Sequence, residues 1–519
     1  MNQVTSTVSE TTKVLRSHPG VRQAVAFRVA LDNQAKVVSF VVANETYLDG
    51  ALGRAATEQK QTRIWKKTYD LTQFAVAAAE SPLAFNTLGW NSSYTRQPIP
   101  EDDMREWVET TVARIRSLGP RNVLEIGCGT GLLLLRIAPE CAKYAGLDFS
   151  PAVLQRLREQ LARMPELSSR VELFERSADD LQSFAENSFD GVVVNSVAQH
   201  FPNLFYLHRV LETAVALIRP GGFLFVGDQR SLPLLETYAV SVEAAGANTE
   251  THADELRQRV RRRVEQEQQL VLSPSFFLAA ARGNSRVSSV GIFLRRGSRD
   301  NEMTRFRYDA TLRIGPKAPL REIPFFTPPG AGWTLEGVRA KLAGNRAEAL
   351  GFARIGNARV AADVGLRARL ASADPQQPLR EMLKGLQQRG ADGVHPEALF
   401  ALGHERGYEV ALSWASCHGD GSYDAAFTRR SADEHFDSSA IHWPKPSAKD
   451  FVYYANAPGQ AEIREKLAQA LLADCRAQLP EVMVPGKLYL VDSLPTRSDG
   501  SVDGEALFAA AGEAAECST

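Results

Sequence analysis

The sequence predicts a doubly wound, largely parallel α/β sheet, with an inserted lid of helices and strands and short strand- and helix-bearing segments at the two ends of the chain. Three observations carry this expectation. Short apolar runs alternate with helical patterns between about 105 and 235, and a glycine-rich loop follows the first run. Both ends of the chain hold strand and helix signals too short to close a core by themselves. At 519 residues there is room for about three domains, or one domain with a large insertion.

Residues 1–50 read as a helix (Glu10–Ser17), a His18-Pro19-Gly20 turn and two β-rich runs, Gln23–Val29 and Lys36–Val42, joined at Asp32-Asn33. The middle zone, 55–430, opens its core with Trp107, Val108, Val112, Ile115 and Leu118 at helical spacing, ending at Gly119-Pro120. Strands follow at Asn122–Ile126, Tyr144–Leu147, Val171–Glu175, Gly191–Asn195 and Phe223–Val226. Helices at Leu132–Ile137, Pro151–Arg163 and Asn203–Leu217 connect them, with Pro151 suited to a first helical position. Pro220-Gly221-Gly222 reads as a turn. The core is expected over about 105–235 and again over about 390–430, where Gly407–Trp414 and Tyr423–Thr428 read as strands. The lid takes about 240–390 and includes a charged helix, Asp254–Leu270, whose arginines read as a solvated face. Residues 431–450, with Pro444 and Pro446, read as a linker. The second terminal part, 445–510, has a helix at Gln460–Gln478, a strand at Lys487–Val491 and a turn at Ser498-Asp499-Gly500.

Lys and Arg number 60 and Asp and Glu 61, a net charge of −1 that offers no field for a nucleic-acid backbone or an anionic membrane. Hydrophobic residues at 44% and charged residues at 23% are the mix of a globular chain. The five cysteines are scattered and form no CxxC pair, so neither a disulfide framework nor a metal site is expected. No signal peptide is read at the N-terminus, and the most apolar run, Leu132–Ile137, is too short to span a bilayer. A cytoplasmic protein is the expectation.

The chemistry is concentrated in Val123-Leu124-Glu125-Ile126-Gly127-Cys128-Gly129-Thr130-Gly131, where a strand enters a G-x-G-x-G loop and then a helix. Glycine permits a tight turn and close approach of backbone to ligand. An acid, Asp148, ends the next strand in Gly146-Leu147-Asp148-Phe149-Ser150, where a carboxylate can accept two ribose hydroxyls. Ala178-Asp179-Asp180 follows the third strand, where an adenine amino group would lie. The loop lacks the phosphate-cradling spacing of dinucleotide sites, and Glu125 precedes it. The set therefore points to S-adenosylmethionine, whose sulfonium needs no phosphate cradle.

Longer stretches carry a resemblance. Phe85-Asn86-Thr87-Leu88-Gly89-Trp90-Asn91-Ser92-Ser93-Tyr94, Pro98-Ile99-Pro100, the glycine loop, Asn195-Ser196-Val197-Ala198-Gln199-His200-Phe201-Pro202, Gly227-Asp228-Gln229-Arg230-Ser231-Leu232 and Glu302-Met303-Thr304-Arg305-Phe306-Arg307-Tyr308-Asp309 occur in one order across most of residues 60–430. Together they resemble the methyltransferase domains, mostly N-methyltransferases, embedded in adenylation domains of nonribosomal peptide synthetases. The segment from His18-Pro19-Gly20-Val21 to Val42 resembles the opening of the small C-terminal adenylation subdomain, and Leu479-Pro480-Glu481-Val482-Met483-Val484-Pro485 through Leu507 its end. The resemblance implies a Rossmann-like class I methyltransferase inserted into that subdomain, a small α+β unit thereby split between the two ends of the chain, which would pair to close one core. Two departures stand out. Ser501 occupies the position of the family's adenylating lysine, and the acidic opening is eroded to Ser9-Glu10-Thr11-Thr12. The large ATP-binding subdomain is also absent, so self-contained amino-acid activation is not expected.

The resemblance implies methyl transfer to an aminoacyl or peptidyl group tethered to a carrier protein, most simply on nitrogen, with an adenylation domain as a further partner. Methyl transfer by in-line displacement depends chiefly on positioning. His200, Asp228, Tyr94 and Glu302 are the candidates for orienting or deprotonating the acceptor. Tyr69 and Trp90 are candidates to cover the methionine end of the cofactor, since an aromatic face favours a sulfonium. Glu125, Gly127, Gly129, Gly131, Asp148, Phe149, Ala178, Asp179 and Asn195 complete the expected cofactor site. Two other readings start from the same residues: a methyltransferase-like epimerase, and a non-catalytic scaffold partner of an adenylation enzyme.

Overall fold

The computed structural model describes residues 4–31, 34–44, 85–87, 89–317, 319–330, 332–345, 347–386, 393–430, 437–447, 451–458, 460–491, 493–497 and 499–508. Contacts divide the chain into two units, residues 1–60 with 459–519, and residues 61–458.

The first unit begins with β1 (Val4–Thr7), a helix at Ser9–Ser17, β2 (Val21–Leu31) and β3 (Gln34–Ala43). Strand periodicity sends alternate side chains to opposite faces. Ala24 and Val41 therefore pack on one face with Leu15, and Val25, Phe27, Val38 and Phe40 form the other.

The second unit holds an eleven-stranded sheet. Its parallel part comprises β4 (Asn122–Ile126), β5 (Lys143–Asp148), β6 (Val171–Glu175), β7 (Phe189–Asn195) and β8 (Ile218–Arg230). These lie in the order β8-β7-β4-β5-β6, each parallel to its neighbour. The strand order reverses between β4 and β7, which opens a crevice at their carboxyl ends. Helices at Glu101–Arg116, Pro151–Leu161 and Leu204–Leu217 cover the two faces, burying Val108, Leu154 and Leu207 among others.

Two sequence expectations are corrected here. The Pro220-Gly222 turn is internal to β8: Phe189 pairs with Ile218 and Gly191 with Phe223, so the intervening residues bulge out of an otherwise continuous strand. The lid expected over about 240–390 also supplies strands to the main sheet. β9 (Val287–Leu294) and β10 (Arg307–Ile314) run antiparallel beside β8, followed outward by β13 (Tyr408–Ser413) and β14 (Tyr423–Arg429). β11 (Phe325–Phe326) and β12 (Ala349–Ile355) close that edge. An open β8 edge would leave a row of unpaired backbone groups, and β10 satisfies them. The helical part of the same region has its own core, in which Val240, Leu256, Val260, Leu366, Leu370 and Met382 meet. The expected linker differs too: within 431–450, Ile441 and Trp443 are buried and Arg321 N donates to Ala440 O at 2.7 Å.

The chain then returns to the first unit. A helix at Gln460–Gln478 leads to β15 (Pro485–Leu490), which pairs in parallel with β3 and completes the sheet β1-β2-β3-β15. Leu467, Leu471 and Cys475 pack against Leu15, Leu507 joins Phe27 and Phe40 on the opposite face, and Thr11 Oγ1 donates to Met483 O at 2.8 Å.

Candidate active site

The site starts where β4 ends. Val123, Leu124 and Ile126 are buried, which fixes the strand in the sheet and delivers the glycine loop to the crevice. Gly127 N and Cys128 N both donate to Leu147 O, at 2.7 and 3.0 Å, binding the loop to the end of β5. Gly127 has φ +76, and a Cβ there would stand 2.4 Å from Val197 Cγ2. Only glycine meets both conditions without strain.

Asp148, the last residue of β5, is buried at 5% exposure. Its Oδ2 accepts from Gly129 N at 3.0 Å and its Oδ1 from Ser150 N at 2.9 Å. Each oxygen thus holds one backbone amide and retains acceptor capacity for a ligand. Glu125 is buried on β4 and accepts from Tyr144 Oη at 2.8 Å; burial pushes its carboxyl up to about 8, with Asp148 adding to the rise.

These residues border a cavity of about 420 Å³, within the size range of small-molecule sites. Glu125, Gly127, Gly129, Asp148, Phe149 and Ala178 line it from the ends of β4 and β5 and the segment after β6. Trp90 lines it as well, its ring 4.7 Å from that of Trp107. Asn195 is also in the wall, and its buried Oδ1 has no hydrogen-bond partner among the described residues. The cavity volume, Asp148 and the orphaned amide oxygen fit a polar nucleoside ligand.

Three expected cofactor residues stand differently. Gly131 is outside the cavity lining; a Cβ there would lie 2.7 Å from Leu157 Cδ1, so it closes the loop against the following helix. Asp179 is exposed, and its Oδ1 accepts from Tyr206 Oη at 2.9 Å. Tyr69 lies outside the described residues.

The four candidates for acting on the acceptor also separate. His200 lines the cavity, and burial together with the Arg307 cation pushes its imidazole down to about 4. It is therefore neutral at physiological pH. Glu302 lines the cavity from the first turn of the Glu302–Phe306 helix, and its Oε2 accepts from Ser93 N at 3.1 Å. Tyr94 and Asp228, by contrast, are not in the cavity wall. The Tyr94 hydroxyl is 3.0 Å from Ser241 Oγ and accepts from Arg305 at 3.4 Å, and burial pushes it up to about 12. Asp228 is fully buried and saturated: Trp107 Nε1 donates to Oδ1 at 3.0 Å, and Ser196 Oγ and Arg307 Nη1 donate to Oδ2 at 2.5 and 2.6 Å. Burial would raise its carboxyl, but Arg307 and Arg295 outweigh that and hold it below the usual range. Asp228 thus lies behind the wall, bonded to Arg307, which is in it.

Sequence reasoning passed over Arg307 and Arg230, which also line the cavity. They face each other across the β10–β8 ladder. Arg230 Nη1 donates to Glu267 Oε2 at 2.7 Å and Gln269 Oε1 at 3.0 Å, and its guanidinium lies 4.5 Å from the Tyr238 ring centroid. The signal for Arg307 was present in Arg305-Phe306-Arg307-Tyr308, but that run reads equally as one strand of the lid with Phe306 as core until β10 is seen to pair with β8.

Residues 124–224 match the methyltransferase domain family. Over 96% of its length the chain is 37% identical to the chondramide synthase cmdD of Chondromyces crocatus and, again over 96%, 30% identical to the probable non-canonical nonribosomal peptide synthetase CymA of Salinispora arenicola (strain CNS-205). It spans only 13% and 6% of the length of those two relatives. Among solved structures, the N-methyltransferase NodS from Bradyrhizobium japonicum WM9 is 19% identical, covering 41% of this chain and 96% of that one with a TM-score of 0.27. No helix among the described residues is long and apolar enough to cross a membrane. Residues 124–224 of this chain are thus a methyltransferase domain, on a parallel sheet whose crevice carries the glycine loop and Asp148, and the chain as a whole is similar to a segment of nonribosomal peptide synthetases.

Proposed function

We propose that the chain N-methylates an aminoacyl or peptidyl group held as a carrier-protein thioester during nonribosomal peptide assembly. The observation that carries this reading is the continuity of one cavity from the glycine loop to the buried carboxylate of Glu302 and the neutral imidazole of His200. Asp148 accepts the two ribose hydroxyls, Phe149 and Ala178 border the adenine, and Trp90 covers the methionine end. Bound S-adenosylmethionine supplies an electrophilic methyl on a sulfonium. Glu302 orients the acceptor amine through an N–H hydrogen bond. Glu302 would take the proton that the nitrogen releases on gaining the methyl group. His200 remains neutral and adds no charge beside the incoming cation.

The similarity to peptide synthetases supports the thioester substrate, and the resemblance of the two ends supports their assignment as parts of a split adenylation subdomain, 1–50 and 445–510, around a methyltransferase of 55–430. An adenylation domain is then a natural partner. Incubation of the full chain with an aminoacyl carrier protein and S-adenosylmethionine tests the reading. A one-methyl mass gain located on nitrogen supports it. Methylation of carbon or oxygen, or of the free amino acid in preference, overturns it.

A further inference from the structure

We infer that Arg307 receives the acyl oxygen of the substrate and forms, with Glu302, a two-point clamp for an α-amino carbonyl group. The inference deepens the proposed reaction and rests on it.

Among the described residues, Arg176, Arg230 and Arg307 are the arginines in the cavity wall. Arg176 donates to Ser183 and lies over the Phe174 and Phe184 rings. Arg230 gives Nη1 to Glu267 and Gln269, and its Nη2, which has no partner among the described residues, is fully buried. Arg307 makes one hydrogen bond, from Nη1 to Asp228 Oδ2 at 2.6 Å, while its side chain keeps 14% of its surface. Its Nε and Nη2 have no partner among the described residues. The guanidinium is locked in place because Asp228 is itself pinned by Trp107 and Ser196. A fixed cation with unused donors on a cavity wall suits an oxygen acceptor.

The oxygen nearest the amine in an α-aminoacyl group is the acyl carbonyl, which can accept from the unused donors without displacing Asp228 from Arg307. Glu302 is five residues before Arg307, and its carboxylate accepts from Ser93 N alone among the described residues. The two side chains thus offer one acceptor and one donor, matching the N–H donor and C=O acceptor of an α-aminoacyl group. The ligand class is an α-aminoacyl thioester, ester or amide.

The test compares the full-length wild type with Arg307→Lys, which keeps a cation facing Asp228 but loses the forked donor set. The substrates are alanyl and valyl N-acetylcysteamine thioesters and the matching amines in which a methyl group replaces the acyl carbonyl. S-adenosylhomocysteine binding to the variant reports an intact cofactor half. We expect kcat/KM on the thioesters to fall about tenfold to a hundredfold in the variant, and the preference for thioester over amine to collapse. An equal fall on both substrates, or an unchanged preference, overturns the clamp alone. A wild-type chain that binds S-adenosylhomocysteine yet methylates none of the thioesters overturns the proposed reaction and the clamp with it. A second measurement needs no variant: wild type loaded with S-adenosylhomocysteine should bind alaninamide at least about tenfold more tightly than the matching amine. Equal binding of the two overturns the clamp.

Discussion

Ser196, the residue after β7, and Asp228, two residues before the end of the adjacent parallel β8, both have left-handed backbone conformations (φ +58 and +62), and the Ser196 hydroxyl donates to the Asp228 carboxylate at 2.5 Å. Such conformations are costly for non-glycine residues and persist where the surroundings over-determine them. Here the strained pair bridges β7 and β8 and holds Arg307 and Trp107. Two residues of the cavity wall, Ser196 and Arg307, are therefore held by a buried carboxylate that is not itself in the wall.

Replacing Asp228 by Asn should uncouple that arrangement. Removing one partner of a buried ion pair costs about 3–5 kcal/mol. The Asp228 carboxyl titrates below its ordinary value of 3.8 in the folded protein, so its stabilising effect is present above that pH and is lost as pH falls through the lower folded value. Thermal midpoints should differ strongly between wild type and variant at pH 7, and the gap should narrow below pH 3.8. A gap independent of pH would contradict the ion-pair account.

Glu125 predicts the opposite pH dependence. Its carboxyl is raised from 4.5 to about 8, so the folded state favours the protonated form. Stability is fully present below 4.5 and is lost as pH rises through about 8. Glu125→Gln should therefore become more stable relative to wild type as pH climbs from 5 to 9. Parallel stability curves over that range would show that Glu125 is ionised in the fold.

Asp148→Ala should weaken S-adenosylhomocysteine binding by about tenfold to a hundredfold, the effect of losing hydrogen bonds to a charged acceptor. Calorimetric titration measures it. The same variant also frees Gly129 N and Ser150 N, so circular dichroism should accompany the titration. Undiminished affinity in a folded variant would remove Asp148 from the ribose.

Gly127→Ala meets two obstacles, a positive φ and a contact of 2.4 Å with Val197 Cγ2. We expect a loss of about 1–3 kcal/mol from the backbone conformation alone. Adding Val197→Ala should relieve the contact and leave the backbone cost. Full recovery in the double variant would assign the whole effect to packing.

The parallel core was legible because its strands are short apolar runs broken by helical periodicity, and Asn122–Ile126 and Val171–Glu175 keep in the structure the bounds read from the sequence. Glycine at 127 and an acid at 148 are local requirements of one loop and one strand end, so they too could be read in one dimension. Long-range pairing could not. β10 joins β8, and β3 joins β15, across long sequence separations that no local pattern encodes. The β10–β8 pairing turned part of an expected lid into sheet and brought Arg307 to the cavity.

By itself the sequence determined the chemistry on offer: a glycine loop, an acid one strand later, and a polar set on the strand ends beyond it. Only the tertiary structure decided which of those groups face the ligand. Asp228, Tyr94 and Asp179 spend their polar atoms on other side chains, whereas Glu302, His200 and Arg307 meet in the cavity wall. Whether a polar group is free to act depends on what is packed against it, and that is a property of the folded neighbourhood rather than of the residue.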